Sequence, residues 1–291
     1  MRGNPAMHAM IAPGTLDGVL TLLAREPGEW TPIAGGTELM VAHAAGRLSA
    51  PKLVSLWGVD ELRFVRAADD EISIGAGATF QDLRRSEVIA RELPLLARAA
   101  GWIGSIANQS RATIGGNLVN GSPAADSSPA LLVYDATMEM ISTRGSRRVP
   151  YEAFHTGYKQ NILAKDELLY AVHLAPRFSA HRQYLRKVGT RRAMAISKTA
   201  FAATCLLRDG AIEQMRVAAA SLAPYPARLK ATEAFLAGKK ATSDVVKAAR
   251  IALMNEVQPI DDIRSTAEYR KHVAANLLEE FLTGLEAEAA R

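Results

Sequence analysis

Residues 101–129 read GWIGSIANQSRATIGGNLVNGSPAADSSP, a stretch crowded with Gly, Ser, Asn and Ala that holds no Lys and a single Arg. Its centre is Thr113-Ile114-Gly115-Gly116-Asn117. Adjacent glycines can take positive φ and bring successive N–H groups to one point. The neighbouring Thr and Asn add short hydrogen-bonding side chains. Such a segment can wrap an anionic, phosphate-bearing ligand with main-chain donors. The run Asp126-Ser127-Ser128-Pro129 reads as a helix start, with Asp126 as N-cap and Pro129 in the first turn. The plainer alternative is a turn and a capped helix with no ligand.

A second stretch weights that choice. Ile33-Ala34-Gly35-Gly36-Thr37-Glu38 follows a short apolar run and precedes an amphipathic segment, which places it at a strand-to-helix junction. Two Gly-Gly junctions followed by Thr or Asn, in one domain, favour ligand binding over two accidental turns. Neither is a phosphate loop of the Gly-Lys-[Ser/Thr] kind, and neither has the G-x-G-x-x-G spacing of a dinucleotide-binding βαβ unit. Gly75-Ala76-Gly77 is only a lone G-x-G.

The chain has 291 residues, 48% of them hydrophobic, enough for a sizeable core. At ~100–200 residues per domain, two domains are expected. The net charge of +5 comes from scattered basic residues without interleaved aromatics, which argues against nucleic-acid binding. A solvated face, or a docking face for an acidic partner, fits better. The lone Cys205 lies in the apolar run 200–207 and reads as a buried thiol. It leaves no disulfide within the chain and no cysteine-ligated cluster held by it alone. No apolar run approaches the ~20 residues of a membrane span. The N-terminus lacks an apolar signal core, so a cytoplasmic location is expected. His43, His155, His173, His181 and His272 are dispersed without metal-ligand spacing, so no metal site is expected.

In order along the chain, Thr15 caps a helix with Leu16, Val19, Leu20 and Leu23 on one face. A strand at 32–34 leads to the first Gly-Gly junction, and Thr37 reads as the cap of a helix over 38–45. A strand at 53–56 completes a first lobe, about 1–60. The second lobe, 61–176, is predicted as a hairpin over 64–75, helices at 79–83 and 88–100 with Pro94 interrupting, and a helix at 128–134. Strands at 137–142, 147–149 and 166–174 follow. Three strands, at 182–188, 197–207 and 211–220, then form a separate sheet, with Asp209-Gly210 as a tight turn. Helices at 229–237, 244–257 and 266–282 back it. The fold class is α+β, with domains at 1–176 and 177–291.

Taken together, these pieces resemble one family. Ala34-Gly35-Gly36-Thr37-Glu38, residues 74–79 (IGAGAT), Thr113-Ile114-Gly115-Gly116-Asn117 with Asp126 downstream, Lys187 ahead of Arg191-Arg192, and residues 262–270 (DIRSTAEYR) occur in its order. The chain is similar to the FAD-binding medium subunits of the molybdenum hydroxylases, the xanthine dehydrogenase and carbon monoxide dehydrogenase group. The resemblance implies a two-lobed FAD-binding domain of the vanillyl-alcohol-oxidase/p-cresol-methylhydroxylase (PCMH) type. A C-terminal domain like that of the CO dehydrogenase flavoproteins, a three-stranded antiparallel sheet with a helical bundle, would follow it. It implies that Thr31, Pro32, Ile33, Ala34, Gly35, Gly36, Thr37 and Glu38 hold one side of FAD. Thr113, Ile114, Gly115, Gly116 and Asn117 would hold the pyrophosphate region from the other. Asp126 would accept a hydrogen bond from the ribityl part, and Leu169 would touch the isoalloxazine or adenine side. Lys187 would approach the flavin pyrimidine edge, where a positive charge favours reduced flavin, with Ile103 and Ile196 near the ring.

The implied job is electron relay, with no catalytic residue of its own. A molybdopterin-containing large subunit would hydroxylate the substrate. A small subunit with two [2Fe-2S] clusters would pass the electrons to FAD here, and on to NAD+ or dioxygen or another acceptor. Met194 and Ala195 stand where some NAD-linked members carry acidic residues, which leaves the acceptor open. A stand-alone flavin oxidoreductase of the same fold, or a cofactor-free assembly scaffold, are the competing readings.

Overall fold

The computed structural model describes residues 8–191 and 194–289, with side chains through residue 286. Strands β1 (Ala9–Ile11), β2 (Trp30–Ile33) and β3 (Lys52–Ser55) form a parallel sheet in the order β1-β3-β2. Parallel strands need crossovers, and helix α1 (Leu16–Arg25) supplies the one from β1 to β2, which flank β3. Thr15 starts that helix by accepting the Gly18 N–H at its Oγ1, 3.2 Å away. Val19, Leu20 and Leu23 then pack against Val54, Val59, Leu62 and Leu168, so this small core ties the first lobe to the second. Helix α2 (Leu39–Ala44) begins at Glu38 without a side-chain cap. Thr37 is therefore not its cap, because the bend at Gly36 (φ +74°) delays the first helical residue until Leu39.

The second lobe opens with β4 (Val65–Ala67) and β5 (Ile72–Gly75), followed by a run of short helices. These are α3 (Phe80–Arg85), α4 (Glu87–Glu92), α5 (Pro94–Ala100), α6 (Ile106–Gln109), α7 (Ile114–Val119) and α8 (Ser128–Val133). Pro94 opens α5 rather than kinking one longer helix, since its missing N–H costs nothing at the first position. Strands β6 (Thr137–Ser142) and β7 (Gly145–Pro150) make a hairpin, and β8 (His155–Gly157) with β9 (Gln160–Asn161) make a smaller one. Strand β10 (Leu168–Leu174) then enters between β5 and β6, giving the antiparallel order β4-β5-β10-β6-β7. The α8 helix is buried at all six positions, and its Ala130, Leu131, Leu132 and Val133 belong to the second-lobe core.

The C-terminal region holds β11 (Arg182–Val188), β12 (Thr199–Arg208) and β13 (Ala211–Ala220), the three long antiparallel strands that the sequence predicts. A fourth, two-residue strand, β14 (Ala227–Arg228), extends the sheet beyond that expectation. Helices α9 (Lys230–Leu236), α10 (Ser243–Glu256) and α11 (Ala267–Ala289) cover one face. The first seven residues of β12 are all buried because both its faces are covered. Phe201, Ala203 and Cys205 turn toward the helices, while Ala202 turns toward the second-lobe core. Cys205 is thus a core residue, and burial pushes its thiol up to about 12. No helix among the described residues is long and apolar enough to cross a membrane.

Candidate functional site

The two lobes and the C-terminal region enclose one long cleft of about 1310 Å³. Its wall on the first lobe is the β2–α2 connection, and every residue from Thr31 to Glu38 lines it. Strand β3 ends its pairing with Leu56 donating to the Ile33 carbonyl at 2.8 Å. Beyond that point, the N–H groups of Ala34, Gly35, Gly36, Thr37 and Glu38 find no acceptor among the described residues. Backbone donors are rarely left unpaired in folded proteins unless water or a ligand takes them. Gly36 supplies the left-handed turn of this segment. Gly35 does something else: a Cβ there would stand 1.7 Å from the Arg111 carbonyl oxygen. The first lobe therefore touches the α6–α7 connection through bare backbone.

The facing wall is the start of α7. Thr113, Gly115, Gly116 and Asn117 line the cleft, but not as the donor cradle that the sequence suggests. Gly115 and Gly116 have no positive φ and form the first turn of the helix. Their N–H groups are taken: Gly115 donates to the Ala76 carbonyl at 2.9 Å and Gly116 to Thr113 Oγ1 at 3.0 Å. Ile114 donates to Ala78, Asn117 donates to the Thr113 carbonyl, and the Ile114 side chain is wholly buried away from the cleft. The need for glycine here is contact. A Cβ on Gly115 would come within 2.6 Å of the Ala76 Cβ and 2.7 Å of its carbonyl oxygen. Gly75 and Gly77 press on Leu62 in the same way, so the IGAGAT stretch is a packing seam.

Asp126 lines the cleft floor but caps nothing, since α8 has Ser127 at its N-cap and no side-chain bond there. Its carboxylate is drawn instead to Lys187 Nζ at 2.6 Å, and Ser197 Oγ donates to its other oxygen. Burial raises the Asp126 pKa, and the Lys187 ammonium and Ser197 hydroxyl pull against that rise. Lys187 is accordingly a buried lysine, not an exposed strand residue, and it does not line the cleft. Its Nζ also donates to the Trp102 carbonyl at 3.1 Å. The trio therefore fixes Trp102, next to Ile103, and Ser197, next to Ile196, and both isoleucines line the cleft with Leu169.

Two further edges come from segments distant in sequence. The β8–β9 hairpin brings Tyr158 and Lys159 to the cleft, and Gln258, Pro259, Ile260, Asp262 and Arg264 line it from the C-terminal region. Arg270 pins that second edge from inside, donating to the Lys198 carbonyl at 2.9 Å and to Asp262 Oδ1 at 2.7 Å. The DIRSTAEYR run marked the edge without revealing where it lies; nothing in the sequence marked Lys159. Arg192 of the Arg191-Arg192 pair lies outside the described residues. His155 is buried and its Nε2 donates to the Leu118 carbonyl, and no cluster of metal-ligating side chains occurs among the described residues.

A two-lobed cleft of this length, with a row of unpaired amides on one wall and apolar side chains further along, defines a binding domain for an extended, phosphate-bearing cofactor. Comparison with known proteins gives that cofactor its identity. Residues 6–177 match the FAD-binding domain of molybdopterin dehydrogenases, and residues 184–285 match the C-terminal domain of CO dehydrogenase flavoproteins. The chain is 33% identical to the xanthine dehydrogenase FAD-binding subunit of Escherichia coli O157:H7, over 92% of each chain. It is 27% identical to the carbon monoxide dehydrogenase medium chain of Hydrogenophaga pseudoflava, over 96% of this chain and 97% of that one. A solved carbon monoxide dehydrogenase from the same organism, lacking the Mo-pyranopterin moiety, superposes with a TM-score of 0.92 at 25% identity, covering 98% and 99% of the two chains. The chain belongs to the FAD-binding medium subunits of the molybdenum hydroxylases, and is an oxidoreductase subunit whose cofactor is FAD.

Proposed function

We propose that the chain relays electrons through an FAD held along this cleft, with the pyrophosphate against residues 34–38 and the flavin end toward Ile103, Leu169 and Ile196. The unpaired amides of Ala34 to Glu38 carry the reading. Five donors on one wall suit an anion that spreads its charge over several oxygens, and Gly36 lets the backbone approach where a side chain would intrude. The cleft volume of about 1310 Å³ exceeds the ~300–1,000 Å³ of ordinary small-ligand pockets, as a dinucleotide requires. FAD, when bound, supplies the redox chemistry by taking up an electron pair and releasing it.

The chain's own residues then bind, orient and exclude water. Thr113 offers its hydroxyl hydrogen and Asn117 its side-chain N–H groups from the facing wall, in place of the main-chain donors that α7 has used, the Asn117 oxygen already accepting from Ser127 Oγ. We assign Asp126 and Lys187 a positioning role, since their charges are spent on each other and on the segments carrying Ile103 and Ile196. We place the domain boundary after Pro176, between β10 and β11. The partners are a molybdopterin-containing large subunit and a small subunit with two [2Fe-2S] clusters. The electrons leave to NAD+, dioxygen or another acceptor.

Purification of the chain with its neighbouring subunits tests this. The complex is expected to carry about one FAD per chain, together with iron, sulfide and molybdopterin, and its flavin absorbance bleaches when the organic substrate is added without air. A complex with metal centres but no flavin overturns the reading.

A further inference from the structure

The tip of the β8–β9 hairpin reaches across the cleft to the first lobe. Lys159 Nζ lies 3.1 Å from Glu38 Oε1, between residues 121 positions apart. Both side chains are substantially exposed, 42% and 57%, and such a pair adds little to fold stability. The hairpin is nevertheless built with care. Lys159 holds a left-handed φ of +52°. Gly121 (φ +60°) packs so closely that a Cβ there would meet the Lys159 Cα at 3.1 Å. Asn161 Nδ2 donates to the Val119 carbonyl at 3.2 Å, and His155 Nε2 lies 2.8 Å from the Leu118 carbonyl. The hairpin is thus rooted on the C-terminal end of α7, whose other end faces the cleft. Its cation stands beside Glu38, the last residue of the unpaired amide row.

We propose that Lys159 is a binding residue for the pyrophosphate of the dinucleotide, and that Glu38 is the charge that parks it there. The amides of residues 34–38 supply directional donors but no net charge. An ammonium group at the end of that row supplies the countercharge that a dianion needs. On binding, Lys159 turns from the carboxylate to the phosphates. Glu38 is then an anion close to another anion, and works against the ligand. The proposal rests on the FAD reading given above and adds a residue to it.

The two partners should therefore act with opposite sign, which no purely structural ion pair does. FAD is stripped from the assembled complex, and its rebinding is titrated by flavin fluorescence for the wild type, Lys159→Gln, Lys159→Arg and Glu38→Gln. Lys159→Gln is expected to weaken FAD binding roughly 10-fold or more, as loss of a charge-assisted contact does, and to flatten its salt dependence. Lys159→Arg keeps most of the affinity. Glu38→Gln binds FAD about threefold more tightly, as removal of a nearby like charge predicts. Melting temperatures of all three stay at the wild-type value. Equal loss in Lys159→Gln and Glu38→Gln, or no change in Lys159→Gln while the wild type binds FAD, overturns the proposal and leaves the FAD site standing. A wild-type complex that takes up no FAD overturns both.

Discussion

The molecule uses Gly-Gly twice on facing walls of one cleft, for different reasons. At Gly35-Gly36 the strand has ended, the helix has not begun, and the backbone donors between them stay unpaired. At Gly115-Gly116 the helix has already begun, and the N–H groups of residues 114–117 are all bonded within the chain. The first pair leaves donors open to a ligand. In the second pair, Gly115 lets α7 lie directly on the Ala76 backbone. One dipeptide can thus mean open donors or close packing, and the surrounding hydrogen bonds decide which.

Substitutions at the four glycines separate these roles. The largest effect is expected at Gly35→Ala, whose Cβ would overlap the Arg111 carbonyl at 1.7 Å. Backbone cannot rotate away, so the lobes must part. A loss of roughly 3 kcal/mol or more is expected from thermal melts, with no FAD retained on purification. Gly115→Ala comes next, at about 1–3 kcal/mol, because its overlap with the Ala76 Cβ at 2.6 Å and carbonyl oxygen at 2.7 Å is shallower than the one at Gly35. Its FAD loss should follow its stability loss. Gly36→Ala reverses that pattern. Holding alanine at φ +74° costs roughly 1–2 kcal/mol, yet FAD affinity falls further than stability because the donor row itself is bent. Gly116→Ala has the smallest effect, within roughly 0.5 kcal/mol. Alanine's helix preference offsets its 3.0 Å approach to Thr113 Oγ1. Should Gly116→Ala lose FAD more severely than Gly36→Ala, the division of labour between the two walls is wrong.

Much of this was legible in the sequence. Thr15 and Thr79 precede apolar-periodic segments, and each caps the helix that follows. Alternating hydrophobicity marked β6, and the Asp209-Gly210 turn marked the β12–β13 hairpin. Both Gly-Gly stretches were legible as cleft residues, as were Asp126, Leu169 and Ile103. What stayed hidden depends on contacts distant in sequence. Asp126 precedes a helix and looks like a cap, but Lys187, 61 residues on, captures it. Lys187 looks like an exposed strand residue because its ammonium is held by Trp102 and Asp126 rather than by its neighbours in β11. The conformation of Gly115-Gly116 could not be read locally either, because Ala76 and Ala78 supply the acceptors that complete the turn. Lys159 was invisible for the same reason, its partner lying on the other lobe.

Amide hydrogen exchange on the assembled complex, measured with FAD removed and then restored, tests the central claim most directly. Protection is expected to rise strongly across residues 34–38 when FAD returns, while residues 114–117 are already protected without it and change little. Protection gained at 114–117 with residues 34–38 unchanged would contradict the account.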